Sequence, residues 1–344
     1  MLLIIIYSLI FTLSYLGVKL FLHVSIKWNL LDVPNERSSH TNPTPRGGGL
    51  IIVLLSLFAY TVYTNFISQI FSWAYFLGAI LIASISLLDD LYSISSLWRF
   101  LVHSVAAVLV VFFLGEFQHI YIPFWGLIKP GFYGQILIFL WIVWLTNAYN
   151  FMDGIDALAG MQAVTAGIGW LMIGKIVGLE TTSFYGGVIA FSSLGFLIHN
   201  RYPAKIFMGD VGSAFLGYTF AVFPLLSLKE TSTDTAILPV VSVLLVWLFM
   251  FDTVLTFTRR LIKREKVWQA HRSHIYQRLV LAGLSQVRVT SIYVLISLTI
   301  VILIFINLKI NKYWSASVAL ITFGSFGLFI FSKYKERRKT FGLN

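Results

Sequence analysis

About eleven apolar runs, each close to the length that crosses a bilayer, divide this chain, and its charged residues fall mainly in the gaps between them. A spanning helix needs about 20 mostly apolar residues. The candidates run approximately Leu2 to Leu22, Gly49 to Tyr63, Tyr75 to Leu88, Trp98 to Leu114, Gly134 to Ala148 and Met161 to Val177. They continue with Ser183 to Leu197, Val211 to Leu228, Ala236 to Phe257, Val289 to Ile306 and Tyr313 to Phe331. Only 11% of the residues are charged, where a soluble domain carries about 25%, and 58% are hydrophobic. Lipid must therefore solvate most of the surface. Backbone polar groups in lipid must be satisfied within the segment, so the expected fold class is all-α, a polytopic integral membrane protein. The first run has no basic stretch before it and no A-x-A-like cleavage site, which reads as an uncleaved span.

The placement of Lys and Arg orients the spans, because basic residues stay on the cytoplasmic side. With the N-terminus outside and the C-terminus cytoplasmic, twenty basic residues fall inside and five outside. The cytoplasmic loops are then about 23–48, 89–98, 149–160, 198–210 and 258–288, followed by a basic tail over 332–344. The whole chain, 1–344, reads as a single transmembrane catalytic domain. A net charge of +11 would suggest a nucleic-acid partner in a soluble protein, but here the charges border spans, and no nucleic acid is expected. The absence of cysteine excludes disulfides, thiolate metal sites and Cys nucleophiles.

Five polar clusters interrupt the apolar chain. The first, LDVPNERSSHTNPTPRGGG from Leu31 to Gly49, contains Asp32, Arg37, His40 and Arg46. Its three consecutive glycines would let backbone N–H groups approach an anion, and a shaped membrane-entry turn explains the same composition. The second is Asp89-Asp90 at the end of the third span, followed by Arg99. An aspartate at mid-span costs roughly 2.5–3.5 kcal/mol, less toward the interface, and adjacent carboxylates repel unless a cation relieves them. The third, NAYNFMDGIDALAG, sets Asn147, Asn150, Asp153 and Asp156 at steps of three. These hard oxygen donors suit Mg²⁺ or Mn²⁺, or hydrogen bonding to a base or sugar, and capping explains one or two of them. If the span ends near Asn150, Gly154 would break it and gather the oxygens at the cytoplasmic mouth.

The fourth cluster is AKIFMGDVGSAFLG, where Asp210 opens the eighth span as an N-cap, with helix N–H groups that attract phosphate beside it. The Gly-Lys-Ser/Thr ending of a Walker A loop is missing. The fifth runs from Arg259 to Arg278 and places His271 and His274 on one helical face, with Arg272, Tyr276 and Arg278 nearby. Anion recognition by arginine is favoured over a two-histidine metal site. Two spans separate each consecutive pair of clusters, so all five share one face of the membrane. Carboxylates for a metal, arginines for phosphate and glycines for close approach together suit phosphoryl transfer.

At these residues the chain resembles the polyprenyl-phosphate N-acetylhexosamine-1-phosphate transferases, the family of the phospho-MurNAc-pentapeptide translocase. Within it the chain is similar to the O-antigen initiating group. DVPNERSSHTNPTPRGGG, the aspartate pair with Arg99, NAYNFMDGIDALAG, KIFMGDVGS and HRSHIYQRL occur in the family's order, from about Asp32 to Arg278. The resemblance implies transfer of a sugar 1-phosphate from a UDP-sugar to undecaprenyl phosphate, releasing UMP, with Mg²⁺ or Mn²⁺. It implies a bacterial inner membrane location, an active site facing the cytoplasm, and a product that starts a lipid-linked surface polysaccharide such as O-antigen.

By the same resemblance Asn150 and Asp210 hold the metal, and Asp156 and Phe207 recognise and stack the uracil. Asp89 and Asp90 position or deprotonate the lipid phosphate with help from Arg99, Asp153 and Asp210 join them as catalytic acids, and Arg46 and Asn147 bind substrate. Arg272, His271 and His274 contact the diphosphate or sugar. Relatives that transfer GlcNAc tend to read D-R-x-H-x-H-H in the last motif, whereas Tyr276 and Gln277 stand where the trailing histidines would be. That departure speaks against GlcNAc as the native sugar and against an essential role for the histidines. The competing class is a transporter using intramembrane acids such as Asp252. The oligomeric state is open, a homodimer included.

Overall fold

The computed structural model describes residues 1–34, 42–230, 236–265, 272–310 and 312–340. Thirteen helices lie among them: α1 (Leu2–Lys27), α2 (Gly49–Phe66), α3 (Trp73–Tyr92), α4 (Ser96–Leu114), α5 (Phe132–Phe151), α6 (Leu158–Val177) and α7 (Glu180–Asn200). Then follow α8 (Asp210–Ser227), α9 (Leu238–Leu245), α10 (Trp247–Ile262), α11 (Ile275–Leu281), α12 (Gln286–Ile310) and α13 (Trp314–Thr340). Two short antiparallel hairpins complete the described structure: β1 (Leu31–Asp32) with β2 (Thr44–Pro45), and β3 (Ile120–Ile122) with β4 (Gly126–Ile128). Ten helices are long and apolar enough to cross a membrane, and the count is eleven if α9 and α10, which pass the same test together, are one bent span. The chain is a multi-pass membrane protein.

Helices α7 and α8 form the centre of the bundle, with 83% and 89% of their spanning windows buried. Lipid tails are as apolar as leucine, so helices in a bilayer associate through close packing and hydrogen bonds. Gly217 of α8 shows the packing: a Cβ there would stand 2.6 Å from the Leu145 carbonyl oxygen of α5. Pro224 inside α8 cannot donate to the Phe220 carbonyl, and the Ser242 hydroxyl supplies that bond at 3.1 Å.

The break in the ninth span departs from the continuous run expected over Ala236 to Phe257. The pair α9 and α10 bends by 76° at Val246 with neither glycine nor proline at the break. Its cause lies on α6: the Gln162 amide donates to the Leu245 carbonyl at 2.7 Å, and the Ser297 hydroxyl of α12 donates to Gln162 Oε1 at 3.0 Å. A buried side chain from another helix thus satisfies the backbone that the bend exposes. Gln162→Leu is expected to cost about 1–3 kcal/mol, the penalty of orphaning a buried carbonyl. At ~2–4 °C per kcal/mol in a large domain, differential scanning fluorimetry in detergent should read a fall of roughly 2–12 °C. An unchanged midpoint would show that Gln162 does not hold the break.

Candidate active site

Hydrogen bonds between distant segments bring the polar clusters to one end of the bundle. The end of α3 meets the start of α8: the backbone N–H groups of Asp210 and Val211 each donate to one oxygen of Asp90, both at 3.0 Å. Helix α8 begins with its first N–H groups unsatisfied by its own turns, and a buried carboxylate from α3 takes two of them. This corrects one expectation. Asp210 is not the N-cap, because Gly209 holds that position and Asp210 is the first helical residue. Both oxygens of Asp90 accept backbone donors.

Asp89 turns another way, since adjacent residues on a helix point about 100° apart. The Arg99 guanidinium, in the first turn of α4, places Nη1 at 2.6 Å from Asp89 and at 2.7 Å from Asp210. Two carboxylates and one arginine thereby form a partly exposed triad. Arg46 is half-buried and near enough for its charge to act on Asp90, and its Nε meets no partner among the described residues.

Two of the three glycines do different work from that expected. Gly48 donates to the Phe207 carbonyl at 3.0 Å and Gly49 to the Met208 carbonyl at 2.9 Å, while Phe207 N–H donates to the Pro45 carbonyl at 2.8 Å. These N–H groups are committed to the 207–208 backbone and do not face an anion. The ring of Phe207 is half-buried beside this ladder.

Helix α5 ends at Phe151, close to the limit expected near Asn150, and Asp153 and Asp156 follow it in a turn. Asn150 donates to the Ser213 hydroxyl of α8 at 3.3 Å, which sets its amide beside the Asp210 turn. Burial pushes the Asp153 carboxyl up to about 8, with Asp210, Asp90 and Asp156 adding repulsion. Asp156 accepts from Ala204 N–H at 2.9 Å and its own N–H donates to Gln286 at 3.0 Å, so it ties the turn to the loop before α8 and to α12. Asn147 lies inside α5, its amide donating to the Val143 carbonyl at 2.7 Å.

His103 is a site neighbour that sequence reasoning missed. It sits one turn along α4 from Arg99, close to Asn147 and Asp210, and is 4% exposed. Neither ring nitrogen has a partner in hydrogen-bond geometry among the described residues. The signal was available: a histidine within a span is a functional candidate by default.

The fifth cluster arrives through α11. His274 precedes that helix rather than lying within one, which corrects the expected helical face, and His271 lies outside the described residues. The His274 ring stacks on Phe151 at 6.3 Å, and the Tyr276 hydroxyl donates to the Phe151 carbonyl at 3.0 Å. Gln277 accepts from His274 N–H at 3.3 Å, so Tyr276 and Gln277 brace this segment. Arg272 is half-buried just ahead of it. Asp252, the residue that suited an ion path, is fully buried and accepts from Ile275 N–H, Tyr276 N–H, Thr256, Tyr293 and His274. A carboxylate has about four acceptor directions, so little capacity remains for a travelling ion.

An apolar groove of about 890 Å³ leads away from this end. Gly134 and Ile120 line its far end, and Asn147, Phe151, Arg260 and His274 its near end. Gly134 to Phe151 spans about 25 Å of helix at 1.5 Å per residue, most of the ~30 Å hydrocarbon thickness.

The groove lining carries Asn147, Arg260 and His274 among apolar side chains, and the Asp89–Arg99–Asp210 triad lies beside the start of α8. Residues 72–228 match glycosyl transferase family 4. Over 270 residues the chain is 34% identical to a Bacillus subtilis (strain 168) protein named probable undecaprenyl-phosphate N-acetylglucosaminyl 1-phosphate transferase, covering 76% of this chain and 73% of that one. It is 28% identical over 314 residues, 88% of this chain and 82% of the relative, to the undecaprenyl-phosphate alpha-N-acetylglucosaminyl 1-phosphate transferase of Yersinia pestis. A phospho-N-acetylmuramoyl-pentapeptide-transferase of Listeria monocytogenes serovar 1/2a is 26% identical over 242 residues, 65% of this chain and 75% of the relative. The chain belongs to glycosyl transferase family 4, and it is a transferase.

Proposed function

We propose that the protein transfers the 1-phosphate of an N-acetylated hexosamine or deoxyhexosamine from its UDP-sugar to undecaprenyl phosphate, releasing UMP. The observation that carries this reading is the Asp89–Arg99–Asp210 triad together with an apolar groove whose lining includes Phe100, the residue after Arg99, and Asn147. The polyprenyl chain occupies the groove, and its phosphate reaches the triad. An oxygen of the lipid phosphate forms a bond to the β-phosphorus of the donor, the bond from that phosphorus to the bridging oxygen breaks, and UMP leaves with the bridging oxygen. The triad faces the cytoplasm of a bacterial inner membrane, where the basic loops lie, and the product starts a surface polysaccharide such as O-antigen.

Of the aspartate pair, Asp89 orients the lipid phosphate in this reading, which the engagement of both Asp90 oxygens at the start of α8 supports. Arg99 and Arg46 grip phosphate oxygens in the fork geometry that guanidinium favours. Arg272 and His274 approach the donor from the α11 side, and Asp156 and Phe207 border the space for its uracil.

The donor set fits Mg²⁺ or Mn²⁺. Among the described residues no three His, Asp or Glu side chains form a ready metal cage, and Mg²⁺ needs only one or two carboxylates alongside substrate phosphates and water. Asp210 and Asn150 would hold the ion, which when bound neutralises charge on the diphosphate.

The high proton affinity of Asp153 gives a pH test of the acidic cluster. Its folded value lies above the ordinary carboxylate value, so its stabilising contribution is present at low pH and is lost as pH rises toward about 8. A divalent ion nearby favours the ionised form. The thermal midpoint without divalent ions is therefore expected to fall from pH 6 to pH 8.5, with Mg²⁺ raising it more at pH 8.5. An equal Mg²⁺ effect at both pH values would contradict ion binding beside Asp153. The reaction itself is tested by giving purified protein undecaprenyl phosphate with a panel of UDP-sugars. The expected product is a lipid heavier by one sugar and one phosphate, and a panel with no such product sinks the reading.

A further inference from the structure

Glu336 is the only acidic residue of the chain after Glu265, and it stands among Lys333, Lys335, Arg337, Arg338 and Lys339 in the last turns of α13. Its carboxylate turns to another helix. Oε1 accepts from Arg278 Nε and Oε2 from Arg278 Nη2 of α11, the two-point fork that guanidinium and carboxylate favour. Arg278 is 7% exposed, and its guanidinium also lies over the Phe329 ring of α13 at 5.7 Å. One turn beyond Glu336, Lys339 Nζ donates to the carbonyl of Leu281, the last residue of α11, at 2.6 Å. The end of α13 therefore grips α11 by two side chains.

Helix α11 has only seven residues, and a helix that short does not hold its shape alone, because nucleation costs more than two turns return. Asp252 holds its first turn, accepting from Ile275 N–H at 2.9 Å and from Tyr276 N–H at 3.3 Å. The second turn is held by α13. What α11 carries gives that grip a consequence: the Tyr276 hydroxyl docks on the Phe151 carbonyl at the end of α5, and His274, just before the helix, lines the groove. Arg259 of α10 donates to the Ser273 carbonyl at 3.0 Å and lies near enough to Arg278 for the two guanidinium charges to repel, a repulsion that Glu336 offsets. We propose that Glu336 is a positioning residue: by gripping and neutralising Arg278 it locks α11 to α13 and so fixes segment 272–274 in its place at the groove. This rests on the reading that segment 272–274 meets the UDP-sugar in the transfer reaction.

Hydrogen–deuterium exchange of the full chain in detergent, read by mass spectrometry, tests the grip without turnover. In Glu336→Gln the buried Arg278 loses its counter-charge, and the amides of 276–282 are expected to exchange at least about 10-fold faster, with α7 and α8 unchanged. Lys335→Gln is the control, since its ammonium lies over the Phe331 ring at 5.9 Å, and it should exchange like the unaltered protein. Unchanged exchange over 276–282 in Glu336→Gln overturns the proposal. Faster exchange through α7 and α8 overturns it too, because Glu336 would then support the whole fold. Kinetics read the consequence for the site. A loosened segment lowers the fraction of protein competent to bind, so KM for the UDP-sugar is expected to rise on the order of 10-fold while kcat stays within about 2-fold. An unchanged KM, with or without a fall in kcat, overturns the proposal. If Glu336→Gln does not fold, Glu336→Asp, which keeps the charge but shortens the reach, is measured against the same outcomes. Absence of any transfer by the unaltered protein would instead sink the reaction reading and leave the exchange measurement standing.

Discussion

Asp210→Asn is expected to lower divalent-dependent transfer by at least about 100-fold, the scale of removing one electrostatic group aimed at developing charge, with the thermal midpoint within a few degrees of the unaltered protein. The asymmetry follows from where the side chain sits. Asp210 meets the Arg99 guanidinium at 2.7 Å, and Arg99 keeps Asp89 when Asp210 is neutralised. The amide loses an attraction to the α8 dipole of about 0.3–1 kcal/mol, and it relieves repulsion on Asp153. Asp90→Asn should behave differently. Both oxygens of Asp90 accept backbone N–H groups, and an asparagine would turn an N–H₂ toward one of those donors. A loss of about 1–3 kcal/mol in stability is then expected together with the activity. Full activity in Asp210→Asn would remove the triad from the chemistry. A stability loss as large as that of Asp90→Asn would show that Asp210, too, is structural.

Gly49→Ala is expected to be strongly damaging for so small a change. A Cβ at Gly49 would lie 2.5 Å from the Gly212 Cα, 2.8 Å from the Met208 carbonyl oxygen and 2.9 Å from Gly212 N. All three are backbone atoms, and no side chain can swing aside to make room. The segments that would separate carry Arg46 on one side and Asp210 on the other, so the site opens with the fold. A loss of about 3 kcal/mol or more is expected, read as a drop of about 10 °C by scanning fluorimetry or as aggregation on size exclusion. Gly324→Ala, a helical position with open space around it, serves as the control and should be neutral or slightly stabilising. A Gly49→Ala protein as stable as that control would contradict the close approach of α2 and α8.

Much of the fold was legible in the sequence because the bilayer fixes helix length. Most spans lie within a few residues of their expected limits, as with Trp98 to Leu114 against Ser96–Leu114. The break at Val246 was hidden, since its cause is Gln162 on another helix and no glycine or proline marks it. The acids were legible because charge is expensive in so apolar a chain, and the even number of spans between clusters correctly required Asp90 and Asp210 to share one end. Their individual partners were not legible. Nothing local says that Asp90 closes a helix beginning 120 residues later, that Gly48 and Gly49 pair with residues 207 and 208, or that Asp252 braces His274. His103 escaped because it stands alone among apolar neighbours, with no motif around it.

The most direct test of the central claim follows the β-phosphorus of the donor. Purified protein would be given undecaprenyl phosphate, Mg²⁺ and a UDP-N-acetylhexosamine labelled with ³²P at the β position, and the label partitioned between butanol and water. The account expects label in the butanol-extractable lipid and unlabelled UMP in the water. Sugar in the lipid with the label left in water-soluble UDP would contradict it, because the bond broken would then be the glycosidic one.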